Sequence, residues 1–128
     1  MNIYCCECKK DVLACLITGQ RAYPHRKDLN HLPFWQCPVC SNFVGCHHKT
    51  KTPTKPLGNI PNQEIKNARK LIHRLLDPLW QSKKMNRGHL YAKLSKALGY
   101  EYHTAEIKSI EDARKVYLLI LDMKRAIQ

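Results

Sequence analysis

The cysteines that could do chemistry lie in two close pairs, Cys5-x-x-Cys8 and Cys37-x-x-Cys40. Two cysteines three positions apart can direct both sulfurs to one point when the backbone between them makes a tight turn. Two such turns supply four thiolates, which is the tetrahedral ligand set of a structural zinc site. We therefore predict that these four cysteines bind one structural Zn²⁺ ion.

The spacer between the two pairs is long. The 28 residues between Cys8 and Cys37 exceed the roughly 15–20 of ordinary ribbon spacing, so we expect an extra hairpin or loop, formed by residues 19–33. Buried or free thiols are one alternative to zinc, and an iron–sulfur cluster is another, since it also uses four thiolates. Ribbon spacing and strand-like flanks favour zinc. Cys6 could replace Cys5 as a ligand, although the spacing favours Cys5.

Zinc binding would also contribute to the free energy of folding of the amino-terminal segment. A loop-rich segment of about 58 residues buries too little apolar surface to fold by itself. Structural zinc contributes on the order of 10–16 kcal/mol of apparent binding energy that is coupled to folding. Four thiolates and one Zn²⁺ together carry about −2, which brings the formal net charge of the chain from +12 to nearer +10.

Composition limits the class of protein. The 128 residues include 22 Lys and Arg against 10 Asp and Glu, and 44% are hydrophobic, which suffices for a packed core. The longest apolar run, residues 116–121, is far shorter than the roughly 20 residues of a membrane helix. Residues 1–20 carry cysteines and acids in place of an apolar signal region, so we expect no secretory signal and a reducing compartment.

The chain divides near residue 58. All seven cysteines lie in residues 1–58, whereas residues 59–128 have none and show helical patterning. We predict an α+β fold in which an N-terminal zinc ribbon with a small antiparallel sheet packs as one unit on a C-terminal three-helix segment. Three strands are expected at 12–18, 34–37 and 42–47. The lysine- and proline-rich segment 49–62 is expected to be an extended basic connector on the surface.

Three helices are predicted from apolar spacing and from capping residues. The first begins near Pro61 and runs to about Leu76, with a kink or restart at 77–78. The second begins after Asn86 and ends at Gly99, and the third begins after Ser109. The expected buried stripe of the third helix is Ala113, Val116, Tyr117, Ile120 and Ile127.

Basic side chains are patterned and indicate an anionic partner. They lie on one face of the first helix and in the connector: Lys66, Arg69, Lys70, Arg74, Lys49, Lys51 and Lys55. Such groups release condensed counterions from phosphates, so we predict a nucleic-acid-binding accessory protein that contacts DNA or RNA mainly at phosphates. The alternative is a zinc-stabilised interaction module whose basic face meets an acidic surface of a host or phage protein. No membrane partner is expected.

A second site could be built from Cys46, His47 and His73, and would suit a metal-dependent nuclease. Core packing or phosphate contact explains these residues more simply, and no carboxylate pair, glycine-rich phosphate loop or nucleophile motif accompanies them. We therefore expect a binding protein rather than an enzyme. Trp35 and Trp80 are expected to be core rings, with base stacking as the alternative.

Several segments in order resemble a family of phage and prophage zinc-finger-containing proteins of unknown function. They are the two cysteine pairs, Phe34-Trp35, VGCH at 44–47, PLG at 56–58, His73 and DPLW at 77–80, and the resemblance covers residues 5 to about 120. It implies a zinc ribbon joined to a helical part and a setting in mobile genetic elements, with no established activity. We accordingly expect the protein to be located in the cytoplasm of a bacterial or phage-infected cell.

Overall fold

The structure, a computed structural model, describes residues 1–82 and 85–127, with the side chain of Ile127 excepted. The chain forms two compact units, Met1–Asn62 and Gln63–Gln128, and each is described by itself. The first unit contains small antiparallel sheets and the four-cysteine cluster, and the second is helical. The predicted α+β class is confirmed. The packing of one part on the other stays a prediction.

The first unit begins with a hairpin. Strand β1 (Asn2–Cys5) pairs antiparallel with β2 (Lys10–Leu13), and the cross-strand neighbours Ile3 and Val12 are both buried. The run 12–18, predicted as one strand, is divided between β2 and a third strand, with Ala14 between them. An apolar run does not by itself show which sheet each residue joins. In the structure Val12 pairs within the first sheet, whereas Ile17 pairs within the second.

The second sheet has three strands in the order β3-β4-β5, all antiparallel. They are β3 (Cys15–Thr18), β4 (Pro33–Gln36) and β5 (Phe43–Gly45). The long spacer is accommodated between β3 and β4, where a single helical turn, α1 (Gly19–Ala22), is followed by a 3₁₀ turn, Lys27–Leu29. The predicted insertion is therefore a loop with two short helical turns.

Residues 49–62, predicted as an extended basic connector on the surface, pair in part with strands of the first unit. The His47 N–H donates to the Lys55 carbonyl (2.8 Å) and the Leu57 N–H to the Gly45 carbonyl (3.0 Å), so residues 55–57 run antiparallel beside the end of β5. Farther on, the Ile60 N–H donates to the Tyr4 carbonyl (2.8 Å) beside β1. The Ile60 side chain is fully buried in the core of the first unit. Backbone pairing and burial thus extend this unit beyond residue 58.

The second unit contains three long helices, α2 (Gln63–Gln81), α3 (Arg87–Leu98) and α4 (Ile110–Ile127). The first helix, predicted to run to about Leu76 with a kink or restart at 77–78, continues through Pro78 to Gln81 without a restart. Proline removes one backbone hydrogen bond and is costly in a helix interior. Leu76 and Leu79 on either side of it are buried in the helical core, and this packing holds the helix across the interruption.

The predicted caps of the other two helices are confirmed. The Asn86 side chain accepts a hydrogen bond from the His89 N–H (3.2 Å), and Gly99 ends α3 with a left-handed φ of 82°. The Ser109 hydroxyl accepts from the Asp112 N–H (3.1 Å) before α4. The Asn86 and Ser109 side chains accept hydrogen bonds from backbone N–H groups that have no partner within the first turn of a helix. Gly99 adopts the left-handed conformation that commonly ends a helix.

The helical core contains apolar side chains from all three long helices. Its buried members include Ile72, Leu76, Leu79, Leu90, Leu94, Leu98, Ala113, Val116 and Ile120. Tyr117 is only half-buried, and the side chain of Ile127 lies outside the described residues. Within the described part of the chain, no helix is both long and apolar enough to cross a bilayer.

Candidate metal centre

Two hairpins place the four cysteines. Cys5 ends β1 and Cys8 lies in the turn that leads to β2, whereas Cys37 follows β4 and Cys40 precedes β5. Cys5 and Cys37 are fully buried, and Cys8 and Cys40 are partly buried. Each pair therefore lies at the tip of its own hairpin, and the fold of the first unit brings the two tips together.

The sulfur positions fit a single tetrahedral ion. The Sγ atoms of Cys5 and Cys40 are 3.5 Å apart, those of Cys8 and Cys37 are 3.7 Å apart, and all four lie within 4.8 Å of one another. A tetrahedron with Zn–S bonds of about 2.3 Å has sulfur–sulfur distances of about 3.8 Å. A disulfide needs about 2.05 Å, and the described cysteines are all free. The cluster thus fits one structural zinc ion.

The two turns have the same backbone form. In the first, the Lys9 N–H donates to the Cys5 carbonyl (2.8 Å), and in the second the Ser41 N–H donates to the Cys37 carbonyl (3.1 Å). Lys9 has a φ of 56° and Ser41 a φ of 67°, so both adopt the left-handed conformation. Each follows the second cysteine of its pair. Sequence reasoning missed these two residues, although their matching positions after the two pairs are a signal for them.

Hydrogen bonds and mutual repulsion set the ionisation of the thiols. Burial acts to raise the pKa of Cys37, but the backbone N–H groups of Cys40 and Val39 bond its sulfur and bring the pKa to about 7. At Cys8, burial and the neighbouring Cys37 thiol raise the pKa to about 12. The Asn42 side-chain amide donates to the sulfur of Cys40 (3.3 Å). A bound divalent cation stabilises the thiolate forms that these neighbours disfavour.

The apolar side chains around the four cysteines form the hydrophobic core of the first unit. Cys5 and Cys37 belong to the same buried cluster as Ile3, Val44 and Ile60. Trp35 packs against that cluster, as expected for a ring beside the second turn. Two of the four cysteines of the cluster are therefore also part of the core of the first unit.

The three residues of the predicted second site lie in different surroundings. Cys46 is buried and pairs with Pro56 in an isolated bridge, and the half-buried His47 is engaged through its backbone with Lys55. His73 lies on α2, with its Nδ1 3.6 Å from an Asp77 oxygen. Within the described part of either unit, no second group of three or more metal-binding side chains is present. The second site stays a prediction.

The predicted basic residues differ in solvent exposure and in their contacts within the protein. Lys49, Lys51, Lys55, Lys70 and Arg74 are exposed. Lys66 is half-buried, and burial together with nearby Lys70 lowers its pKa. Arg69 is half-buried and donates from Nε (3.2 Å) and Nη2 (2.6 Å) to the Ile107 carbonyl. Its guanidinium therefore fastens α2 to the segment before α4.

Residues 2–124 match a protein family described as a zinc-finger-containing domain. The match covers the strands, the four-cysteine cluster and most of the helical unit. No curated protein and no solved structure matches the chain.

The left-handed residues of the two turns generate one prediction. Replacing Lys9 or Ser41 by glycine removes the steric cost of a side chain in this conformation, and each change should raise the stability of the zinc-loaded protein by about 0.5–1 kcal/mol. Lys10→Gly, at the next position but within β2, should lower stability by a similar amount. Urea unfolding at fixed free zinc measures all three, and a loss of stability in both Lys9→Gly and Ser41→Gly would contradict the assignment.

A second prediction concerns metal content. Cys37→Ser should reduce bound zinc from one ion per chain to a small fraction, because a buried thiolate ligand is replaced by a poorly ionised hydroxyl. Cys15→Ser is the matched control, since Cys15 is exposed on β3 and lies outside the cluster. Elemental analysis of dialysed protein gives the stoichiometry. Equal zinc content in the two variants would exclude Cys37 as a ligand.

Proposed function

The chain belongs to a family of zinc-finger-containing domains, and from this premise we propose that it binds nucleic acid through contacts with phosphates. We further propose that it does so as an accessory protein of a phage or mobile element, in the cytoplasm of the infected cell. The second part is supported by the sequence resemblance described above. In this proposal the zinc ion is structural: it stabilises the fold that carries the nucleic-acid-binding surface and does not itself contact the nucleic acid.

The observation that carries the proposal is the charge of one loop. Residues 47–55, here called the basic loop, include exposed Lys49, Lys51 and Lys55. No Asp or Glu occurs between Asp28 and Glu64, so no carboxylate close in sequence neutralises these lysines. A cluster of uncompensated lysines attracts phosphates and displaces their condensed counterions.

The basic loop is also held in place. The Trp35 indole N–H donates to the Thr54 carbonyl (2.7 Å) near one end of the loop. The Thr50 hydroxyl donates to the His47 carbonyl (2.7 Å), and the His47 N–H donates to the Lys55 carbonyl (2.8 Å). A loop ordered before binding loses less conformational entropy when it meets its ligand. This supports a binding role over that of a plain spacer.

The helical unit adds a second basic surface. Lys66, Lys70 and Arg74 follow one another at intervals of four along α2 and so share a face of the helix. Residues 63–128 contain 14 of the 22 Lys and Arg but only 7 of the 10 acids, a net charge of +7. Arg69 is not included in this surface because its guanidinium is bound to the Ile107 carbonyl.

Contacts of this kind are made to the sugar–phosphate backbone. They position a protein on nucleic acid but carry no sequence information by themselves. We therefore expect binding that is weak, little dependent on sequence and strongly dependent on salt.

The test removes three charges from the basic loop. Lys49→Gln, Lys51→Gln and Lys55→Gln together should weaken binding to a labelled duplex and reduce the slope of log K against log salt by roughly 2–3, since each lost phosphate contact contributes about 0.9. Fluorescence anisotropy between about 50 and 200 mM salt measures both quantities. The control is Lys93→Gln, Lys96→Gln and Lys124→Gln, exposed lysines of α3 and α4 with the same total change of charge.

Two results would contradict the proposal. One is the absence of measurable binding to DNA or RNA by the zinc-loaded protein at about 50 mM salt. The other is an equal loss of affinity and slope in the two triple variants, which would show that only the total charge matters. Absence of binding would favour an acidic protein partner for the same basic surfaces, whereas equal losses would remove the specific role of the basic loop.

A further inference from the structure

An aromatic pair lies where α2 ends and α3 begins. Trp80 and Tyr91 are both half-buried and pack with part of each ring against the helical core. The Trp80 indole N–H donates to an Asp77 carboxylate oxygen (3.2 Å), which fixes the orientation of the ring. Tyr91 lies beside Tyr102, with ring centroids 5.6 Å apart. Both rings are thus held by neighbours, and neither is fully covered.

Arg87 lies over these rings. Its Cζ atom is 4.4 Å from the centroid of the Tyr91 ring and 5.8 Å from that of the Trp80 ring. The side chain is exposed, and among the described residues no carboxylate forms an ion pair with it. The first turn of α3 contains no acidic residue. In the described part of the chain, the Arg87 guanidinium is therefore positioned by aromatic rings and not by an ion pair.

This position is unfavourable for the helix alone. Arg87 is the first residue of α3, and a cation at a helix N-terminus is repelled by the helix dipole. Cation–π contact with two rings offsets that repulsion and restricts the side chain. The result is a planar cation on an exposed side chain, positioned by aromatic rings.

The chemistry of this arrangement selects one kind of ligand. Binding of a phosphate requires a cation but no aromatic ring. Binding of an apolar ligand uses aromatic rings but does not require a guanidinium. An unpaired nucleobase uses both, because its π-face stacks on aromatic rings and guanidinium planes while its edge accepts hydrogen bonds. Bases in a duplex are already stacked on each other, so such a site discriminates in favour of a single strand.

We infer that Trp80, Arg87 and Tyr91 form a stacking site for an unpaired nucleobase of single-stranded DNA or RNA. The inference rests on the proposed function and adds to it a preference for single strands, through residues remote in sequence from the basic loop. The basic loop supplies attraction to any phosphate backbone, and the stacking site distinguishes a single strand from a duplex.

The experiment uses the full-length, zinc-loaded protein and three probes of equal length: single-stranded DNA, single-stranded RNA and duplex DNA. Arg87→Ala should lower affinity for a single strand roughly fivefold or more, the range for loss of one stacked base. Lys93→Ala removes the same charge from an exposed position of the same helix and should have a much smaller effect. Arg87→Lys keeps the positive charge but removes the planar guanidinium group. This variant should retain duplex binding while losing the preference for single strands.

Fluorescence reports on the rings directly. The chain has two tryptophans, and a base stacked at the proposed site should quench Trp80. Quenching by the single strands should exceed quenching by the duplex, and the excess should disappear in Trp80→Phe. Comparison of the DNA and RNA single strands shows which sugar the site accepts.

The outcomes separate this inference from the proposed function. Equal single-strand affinity of Arg87→Ala and Lys93→Ala would overturn the stacking site, and would leave phosphate binding by the basic loop intact. A loss of folding stability in Arg87→Ala without a change in single-strand affinity would show that the contact of Arg87 with the rings only stabilises the packing of α3 against α2. Failure of every probe to bind would overturn the proposed function as well.

Discussion

Four cysteine sulfurs within 4.8 Å of one another can all be thiolates only when a cation lies among them. This electrostatic constraint governs the first unit, because two of the four, Cys5 and Cys37, are also members of its buried core. Without the cation, burial and the neighbouring thiol hold the pKa of Cys8 at about 12. With it, each thiolate gains a strong ligand bond, and the tips of two separate hairpins are joined.

The remaining features of the first unit depend on that junction. Its strands have only three or four residues each, and one of its sheets is a two-stranded hairpin, which is marginally stable unless other parts of the protein pack against it. Ile60 closes the core beside β1, and residues 55–57 run along the end of β5. The basic loop begins and ends on these same segments, so we expect its shape to depend on the zinc-bound fold. The function proposed for the loop is therefore linked to zinc, although its lysines do not bind the ion.

Local features of the fold could be predicted from the sequence. The spacing of the cysteine pairs indicated the four-sulfur cluster, and Asn86, Gly99 and Ser109 marked the ends of α3 and α4, since a cap needs only its own neighbours. The division of 12–18 between two sheets and the burial of Ile60 could not be predicted. Both depend on pairing between residues distant in sequence, which periodicity does not reveal. Pro78 was misleading for a related reason, since packing of Leu76 and Leu79 outweighs its local cost.

Amide hydrogen exchange on the full-length chain, with zinc bound and after its removal by a chelator, tests the central claim most directly. With zinc bound, the paired amides of β1 to β5 and that of Ile60 should be protected. After zinc removal they should exchange at rates close to those of an unfolded chain, because the sulfurs no longer hold the two hairpins together. Persistent protection of these strands in the zinc-free protein would contradict the account, since it would show that the first unit folds without a metal ion.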